Sequence, residues 1–364
     1  RLFQGPVLYR LSRAVTGPNA VHRLRSFQES PVALVRVTHC GNRVVCGNVD
    51  RGPCWRGEGQ MPNPNFFIVG APKCGTTSLY EYLRPHPELF MPPMKEPHFF
   101  GSDLQIATEM LERPYIRDKA AYLALFDEAA GCKRLGEAST WYLFSKLAAR
   151  EIKAFNPHAK IIIMLRNPIE MIYSLHGQFL WTCNETLESF EQAWEAQADR
   201  RRGGRIPPES HFPQGLQYAQ VASYTEQVKR YLEVFGRSQV MIIFFDDFVS
   251  DTPEVYGQVL RFLEIDPWFR PLFRAANVAK RPTNIGVKRF LKRRPKLQRG
   301  VIAMLPPRLR PHLSRMMNRL TSSRIEWPPM SEPMRARLRE QFAAQIEDLG
   351  ELLSRDLLHW CAST

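Results

Sequence analysis

The stretch that decides the fold is a short apolar run followed by a turn framed by two glycines, Phe66-Phe67-Ile68-Val69-Gly70-Ala71-Pro72-Lys73-Cys74-Gly75-Thr76-Thr77-Ser78. Its first four residues have the length and composition of a buried strand. Gly70 and Gly75 allow a sharp turn, and Leu79–Leu83 continues a helix that ends before two prolines. This order of strand, loop and helix presents backbone N–H groups and a helix N-terminus to an anion. The segment therefore predicts a phosphate-binding loop.

This loop differs from the usual nucleotide-triphosphate loop, GxxxxGK[ST]. The two glycines have the right spacing, but Thr76 occupies the lysine position, and the only lysine is Lys73. An ATPase or GTPase would also need an aspartate at a strand end for magnesium, whereas the next strong strand is followed by Arg166. The site is thus predicted to bind phosphate without an obvious metal. The alternative is a generic glycine turn between a strand and a helix.

A second phosphate contact is predicted at the end of the strand Ile161–Leu165. Arg166 follows this strand, at the edge of an α/β sheet where ligands bind. Asn167 and Pro168 then begin a helix as its N-cap and first residue, and Ser174 lies about two turns into it. A guanidinium and a hydroxyl that converge there suit an isolated phosphate. The alternatives are a surface arginine and a serine bonded to its own helix backbone.

The rest of the chain alternates between strand and helix patterns, which indicates parallel βαβ units and an α/β fold. We expect residues 1–60 to be a basic, weakly ordered N-terminal extension and 61–364 to be the folded domain. Within this domain, 280–324 is a basic segment and 332–360 a C-terminal helical segment. The other predicted elements are a strand at Gln239–Phe245 and helices at Lys119–Ala129, Pro168–Leu180, Leu216–Phe235, Glu254–Leu263 and Glu332–Leu353.

Composition and charge exclude several classes of protein. The chain has 364 residues, 44% of them hydrophobic and 24% charged, which is incompatible with a wholly disordered or collagen-like chain. No apolar run approaches the ~18 residues of a membrane-spanning helix. The formal net charge is +14, and residues 280–324 contain 14 Lys/Arg and no acidic residue. Such a segment favours an anionic ligand, a nucleic acid or an anionic membrane surface, unless it is simply a solvated basic face.

The seven cysteines include no CxxC pair, so we expect reduced thiols and no structural zinc site. A local disulfide among the N-terminal cysteines is the alternative.

The two phosphate motifs together resemble the sulfotransferases that use 3′-phosphoadenosine-5′-phosphosulfate (PAPS). Phe66–Ser78 is similar to the 5′-phosphosulfate loop of that family, and Ile161–Ser174 to its 3′-phosphate segment. Among subgroups the chain looks closest to bacterial enzymes related to the Golgi glycosaminoglycan sulfotransferases. The resemblance implies a parallel five-stranded sheet with helices on both faces, PAPS as co-substrate, and no metal. The implied cofactor-binding residues are Lys73, Cys74, Gly75, Thr76, Thr77, Ser78, Arg166, Ser174 and, from a basic loop, Lys280 and Arg281.

A third segment, Lys95-Glu96-Pro97-His98-Phe99-Phe100, places two ionisable groups beside an aromatic pair. Exclusion of water by the aromatic rings is expected to move a carboxylate pKa upward and produce a usable base. The resemblance places the catalytic base on Glu96 and makes His98 a neighbour that orients the acceptor or shares the proton. It also makes Lys73 the group that stabilises charge on the leaving oxygen. The alternative is a loop whose aromatic residues are simply core.

A fourth segment, Gly136–Tyr142, resembles the part of the family that lines the acceptor and cofactor cleft. Ser139, Trp141 and Tyr142 are the implied substrate-binding residues, although the two aromatic rings could equally pack against the sheet. Ala138 stands where the heparan sulfate enzymes have a lysine, so a heparan-type acceptor does not follow from the resemblance.

The implied reaction is transfer of a sulfuryl group to a hydroxyl or amine of an acceptor. A saccharide or a glycolipid is the expected acceptor, and a protein tyrosine and a small phenol remain open. The alternatives are a P-loop kinase that uses ATP and a basic nucleic-acid-binding protein. Nucleic acid is not the expected partner, because aromatic residues are sparse among the basic residues and no reader motif is recognisable. The expected location is the cytoplasm of a bacterium, or the Golgi lumen if an N-terminal anchor precedes the sequence.

Overall fold

The computed structural model describes residues 63–107, 115–129, 131–274 and 328–362, and the backbone alone at 35–40, 43–48, 281–282 and 322–323. Two compact units are present, Arg1–Cys54 and Trp55–Thr364. In the first unit, strand β1 (Val35–Cys40) pairs antiparallel with β2 (Arg43–Asn48). This hairpin was not predicted, because residues 1–60 show no sustained hydrophobic periodicity.

The second unit is built on a parallel five-stranded sheet, as the sequence predicts. The strands occur in the order β4-β5-β3-β6-β7, and each neighbouring pair is parallel. Their bounds are β3 (Phe66–Gly70), β4 (Leu89–Phe90), β5 (Arg134–Ala138), β6 (Lys160–Leu165) and β7 (Val240–Phe244). Every residue of the central strand β3 is buried. Its carboxyl end therefore opens at the middle of the sheet edge, between the ends of β5 and β6.

Helices surround this sheet, some at predicted positions and some not predicted. Their bounds are α1 (Thr76–Leu83), α2 (Lys119–Ala124), α3 (Ala148–Phe155), α4 (Pro168–Thr182), α5 (Phe190–Glu195), α6 (Gln197–Arg201), α7 (Tyr218–Val221), α8 (Tyr224–Phe235), α9 (Phe245–Ser250), α10 (Thr252–Phe262) and α11 (Glu332–Leu353). The helices that were not predicted are α3, α5, α6 and α9. Asn167 caps α4 by accepting a hydrogen bond from the N–H of Ile169, as expected for that residue type. Outside these elements, β8 (Arg281–Pro282) pairs with β9 (Ser322–Ser323), and the remainder of the basic segment 280–324 lies outside the described residues.

Two helix predictions need correction. The helix predicted at Leu216–Phe235 is interrupted between α7 and α8, because the side-chain amide of Gln227 donates to the carbonyls of Gln220 and Val221 at 3.0 and 3.2 Å. Those carbonyls would otherwise accept the next backbone N–H groups of a continuous helix. The helix predicted at Lys119–Ala129 is shorter, because α2 ends at Ala124. Within the C-terminal segment 332–360, the continuous helix has the predicted bounds Glu332–Leu353, and the left-handed Ser354 (φ 52°) closes it.

One glycine fixes the register of β5 against β3. Gly136 pairs with Phe66, and a Cβ atom at Gly136 would lie 2.1 Å from the Phe66 ring. Only glycine therefore fits, and the close contact places the segment that follows β5 beside the loop that follows β3.

Candidate active site

The loop after β3 is anchored on both sides and ends at a helix N-terminus that no side chain caps. The N–H of Ala71 donates to the carbonyl of Met164 on β6 at 2.7 Å, and the N–H of Leu143 donates to the carbonyl of Val69 at 2.8 Å. Gly75, left-handed at φ 88°, precedes α1, whose first turn contains no acidic residue. The positive end of α1 therefore faces the loop without a competing carboxylate, an arrangement that suits an anion.

The side chains of this loop divide into a buried and an accessible set. Cys74 is fully buried and its thiol contacts the carbonyl of Pro72 at 3.4 Å, while burial raises its pKa to about 12. Because the thiol is neutral and enclosed, Cys74 can contact a ligand only through its backbone. Thr76 is also buried, whereas Thr77 and Ser78 are half-buried.

Lys73 carries the positive charge of the loop from a strained backbone position, φ 64°. Burial lowers its pKa, and the nearby guanidinium of Arg166 lowers it further. Lys73 makes no hydrogen bond within the parts of the chain that the structure describes. Two cations that repel each other in a half-buried site are stabilised by a bound anion. The sequence predicted these two residues as ligands of one nucleotide, and the structure brings them together.

The environment of Arg166 links the end of β6 to the C-terminal helix. Its guanidinium lies 4.8 Å from the centre of the Phe245 ring and 3.9 Å from a carboxylate oxygen of Glu170. Glu170 also pairs with Arg335 of α11. Ser174 is half-buried two turns along α4, as predicted.

Glu96 lies among cations and donors. The Nζ of Lys95 is 2.7 Å from its Oε1, the hydroxyl of Thr140 donates to the same oxygen at 3.4 Å, and the Nε2 of His98 is 3.6 Å from its Oε2. Burial raises the pKa of Glu96, but the charge of Lys95 and the contact with His98 outweigh it and leave the pKa well below its ordinary value. The expectation of an upward shift at Glu96 is therefore wrong: the adjacent ammonium decides the sign. Glu96 is therefore ionised at neutral pH, and the lowered pKa makes it a weaker base than an ordinary carboxylate.

His98 is a neutral, enclosed imidazole. Its side chain is fully buried, and burial lowers its pKa. The ring packs at 4.3 Å from that of Tyr115, and neither ring nitrogen has a hydrogen-bond partner within the described ranges. With a neutral ring 3.6 Å from a carboxylate, just beyond hydrogen-bond distance, His98 can orient or share a proton held by Glu96.

Three of the seven non-glycine residues with a positive φ in the described ranges lie in this site; the others are Cys183, Arg205, Glu264 and Ser354. Lys73, Glu96 and His98 have φ angles of 64°, 61° and 48°, in the left-handed region that non-glycine residues seldom adopt. Each such residue costs on the order of 1–2 kcal/mol. Strain of this kind persists where the surroundings impose it and clusters at functional sites.

The segment that follows β5 supports this site and does not present an open surface. Ser139 and Tyr142 are fully buried, and their hydroxyls accept hydrogen bonds from the N–H groups of His98 and Phe100. Trp141 is buried at 4.5 Å from the ring of Phe212. The structure therefore gives these three predicted substrate-binding residues packing and positioning contacts. Of the remaining predicted ligands, Lys280 lies outside the described residues, and only the backbone of Arg281 is described.

Glu137 is a buried hydrogen-bond acceptor beneath the site, a role that was not predicted from the sequence. This residue is buried in β5, and its carboxylate accepts hydrogen bonds from Ser139 at 3.1 Å and Tyr122 at 3.3 Å. Burial raises its pKa to about 7. The signal in the sequence was a lone acidic residue between apolar ones at the end of a strand, a position that demands hydrogen-bond partners.

Within the described residues there is neither a metal-binding cluster nor a membrane-spanning helix. No group of three or more His, Cys, Asp or Glu side chains there could hold a metal ion. Nor does any helix in those ranges combine the length and apolar character needed to cross a bilayer.

Comparison with known proteins assigns the sheet and its loops to one family. The family model described as "Sulfotransferase domain" matches residues 63–271. Mouse carbohydrate sulfotransferase 15 is 30% identical over 254 residues, covering 56% of this chain and 44% of that protein. Human heparan sulfate glucosamine 3-O-sulfotransferase 6 is 28% identical over 211 residues, covering 58% of this chain and 55% of that protein. The chain thus spans about half the length of these curated relatives.

A solved structure agrees with this assignment over a larger share of the chain. The crystal structure of a sulfotransferase from Alicyclobacillus acidocaldarius is 32% identical, with a TM-score of 0.62. The match covers 83% of this chain and 100% of that one. The parallel sheet and the matched region 63–271 lead to one conclusion: the chain belongs to the sulfotransferase-domain family.

Proposed function

We propose that this protein transfers a sulfuryl group from PAPS to a hydroxyl or amine of a carbohydrate acceptor. One observation carries the proposal: the loop after β3, Arg166 after the neighbouring β6, and Glu96, whose N–H donates to Ala138 at the end of the neighbouring β5, lie at one edge of the parallel sheet. A cationic phosphate loop, a second cation and an ionised carboxylate therefore share one site, which is what transfer from an anionic nucleotide to a neutral nucleophile requires.

The residues at the sheet edge fit a nucleotide with two separate phosphate groups. The uncapped N-terminus of α1 and the left-handed Gly75 suit the 5′ end, and Arg166 with Ser174 suits the 3′-phosphate. A Cβ atom at Gly70 would lie 2.8 Å from the carbonyl of Thr140, so a side chain there would displace the loop. Bound PAPS supplies the activated sulfuryl group and a stable bisphosphate leaving group.

Lys73 and Glu96 have complementary roles in the proposed transfer. Glu96 takes the proton from the acceptor as the new bond to sulfur forms. The bridging sulfur–oxygen bond breaks with its electron pair on the oxygen of the departing bisphosphate, and the ammonium of Lys73 neutralises the charge that develops there. The proton thus ends on Glu96. Positioning and pre-set positive charge account for most of the acceleration, as in phosphoryl transfer.

A saccharide acceptor is supported by the similarity to two carbohydrate-modifying sulfotransferases. The half-buried Lys95 near Glu96 adds a positive charge on the acceptor side, which is compatible with an anionic sugar.

The test is sulfuryl transfer from labelled PAPS to a panel of saccharides, with sulfated product measured by mass spectrometry. Glu96→Gln keeps the shape and removes the basicity, so we expect turnover to fall about 100- to 10,000-fold while affinity for 3′-phosphoadenosine-5′-phosphate is unchanged. The control is Glu254→Gln, an exposed carboxylate on α10, which is expected to retain full turnover.

Two results would contradict this assignment. Near-normal turnover of Glu96→Gln, together with inactive His98→Ala, would move the role of base to His98. Magnesium-dependent ATP turnover without any sulfated product would favour the kinase alternative.

A further inference from the structure

The strained loop that carries Glu96 and His98 is hydrogen-bonded at every second residue to the end of β5 and the segment that follows it. Three alternate backbone N–H groups of the loop donate to the last residue of β5 or to the segment after it: Glu96 to the carbonyl of Ala138 at 3.0 Å, His98 to the hydroxyl of Ser139 at 3.2 Å, and Phe100 to the hydroxyl of Tyr142 at 3.2 Å. Two of the three acceptors are side chains, so the attachment depends on residue type and not on the backbone alone.

The middle contact is held in one orientation by a buried acid. The hydroxyl of Ser139 donates its single proton to the Oε2 of Glu137 at 3.1 Å. Its lone pairs are therefore directed toward the N–H of His98. Both Ser139 and Glu137 are fully buried, and Tyr122 holds the other carboxylate oxygen of Glu137 at 3.3 Å. The serine cannot rotate to another acceptor without leaving Glu137 short of a hydrogen bond.

This contact acts on a residue whose conformation needs support. His98 has φ 48°, a backbone conformation of higher energy than the ordinary ones. If its N–H lost its acceptor, the loop would lower its free energy by returning to an ordinary conformation. Such a change would turn the imidazole away from Glu96, from which its Nε2 is 3.6 Å distant.

We propose, on the basis of the sulfuryl transfer set out above, that Ser139 is a positioning residue for that reaction: fixed by Glu137, its hydroxyl holds the His98 backbone so that the imidazole faces Glu96. Ser139 acts through His98 and contacts neither the donor nor the acceptor. The segment 138–142 is then a support for the catalytic loop, and acceptor specificity is determined elsewhere.

The first test is Ser139→Ala. Because one buried N–H loses its acceptor, we expect kcat to fall about 10- to 100-fold. The KM for PAPS and the affinity for 3′-phosphoadenosine-5′-phosphate should stay within about twofold, because Lys73 and Arg166 are not held by this hydroxyl. Ser139→Thr keeps the hydroxyl and is expected to restore most of the turnover. Glu137→Leu, which removes the acceptor for the serine, should lower kcat in the same way, whereas Glu137→Gln should not.

A matched control separates positioning from stability. Ser145 is also fully buried, and its hydroxyl accepts the N–H groups of Leu147 and Ala148 at the start of α3. Ser145→Ala should lower the melting temperature without a selective loss of kcat. Should Ser139→Ala fail to fold, Ser139→Cys, which keeps the size and weakens the acceptor, is measured in its place.

The decisive readout does not require turnover. In protein labelled at histidine, the imidazole signals of His98, assigned by their loss in His98→Gln, should shift in Ser139→Ala and remain in place in Ser145→Ala. Unchanged His98 signals with unchanged kcat would overturn the proposal, as would a loss confined to bisphosphate affinity. If the wild-type protein sulfates no acceptor, the proposed function fails, while the His98 signals still decide whether Ser139 positions the loop.

Discussion

The acid in β5 provides a quantitative test of the buried network beneath the active site. Replacing Glu137 by Gln keeps the shape and leaves oxygen and nitrogen atoms for Ser139 and Tyr122, but it removes the charge. We expect the variant to be more stable than the wild type at neutral and alkaline pH, because the wild type must hold an ionised carboxylate in a fully buried position there.

The magnitude follows from the pKa of this carboxyl. Burial raises it from an ordinary value of 4.5 to about 7, and each whole step of pKa is worth about 1.4 kcal/mol. The folded state therefore binds a proton that the unfolded state has released between pH 4.5 and 7, so the wild type loses stability as pH rises through that window. The stability advantage of Glu137→Gln should grow by about 2–3 kcal/mol between pH 5 and pH 8 and level off above.

The assay is urea unfolding, followed by tryptophan fluorescence, at intervals from pH 5 to pH 8. Glu264→Gln is the control, because Glu264 is exposed and bonded by Lys160, which holds its pKa below the ordinary value. Stability that depends on a lowered pKa is present above pH 4.5 and is lost only at lower pH. The difference in free energy of unfolding between Glu264→Gln and the wild type should therefore stay constant from pH 5 to pH 8. If the difference in free energy of unfolding between Glu137→Gln and the wild type were also constant over this range, the raised pKa of Glu137 would be refuted.

Three further predictions concern the phosphate loop and the sheet. Lys73→Ala should chiefly lower kcat, because charge on the leaving oxygen grows only in the transition state, whereas Arg166→Ala should chiefly weaken binding of 3′-phosphoadenosine-5′-phosphate. Steady-state kinetics measures the first effect and calorimetry the second, and the reverse pattern would mean that the two roles are exchanged. In a thermal-shift assay the bisphosphate should raise the melting temperature more than AMP or ATP does, and equal shifts for AMP and the bisphosphate would exclude a separate 3′-phosphate site. Gly136→Ala should fail to give soluble folded protein, because its Cβ would lie 2.1 Å from the Phe66 ring; normal expression and melting would contradict the observed pairing of β5 with β3.

The sequence predicted the parts of the molecule that local pattern determines. The apolar run before Gly70, the capped start of α4 at Asn167 and the parallel sheet followed from strand length, capping and alternation, and the structure agrees. Each of these depends on residues close together in the chain.

The parts that were missed depend on contacts distant in sequence. The sign of the pKa shift at Glu96 depends on where the ammonium of Lys95 points, which composition does not specify. The structural role of Tyr142 appears only when β5 lies beside the loop that carries Phe100, and the break before α8 depends on the direction of the Gln227 amide. Periodicity does not contain this information.

The C-terminal helix has a consequence for how short an active fragment can be. The matched family region ends at residue 271, yet Arg335 pairs with Glu170, and the side chain of Asn167 donates to the carbonyl of Trp360 at 3.0 Å. A chain trimmed to the family bounds would free Glu170 to neutralise Arg166, the residue proposed to bind the 3′-phosphate. We therefore expect a fragment that ends at residue 271 to bind the bisphosphate more weakly than a chain that retains residues 328–360.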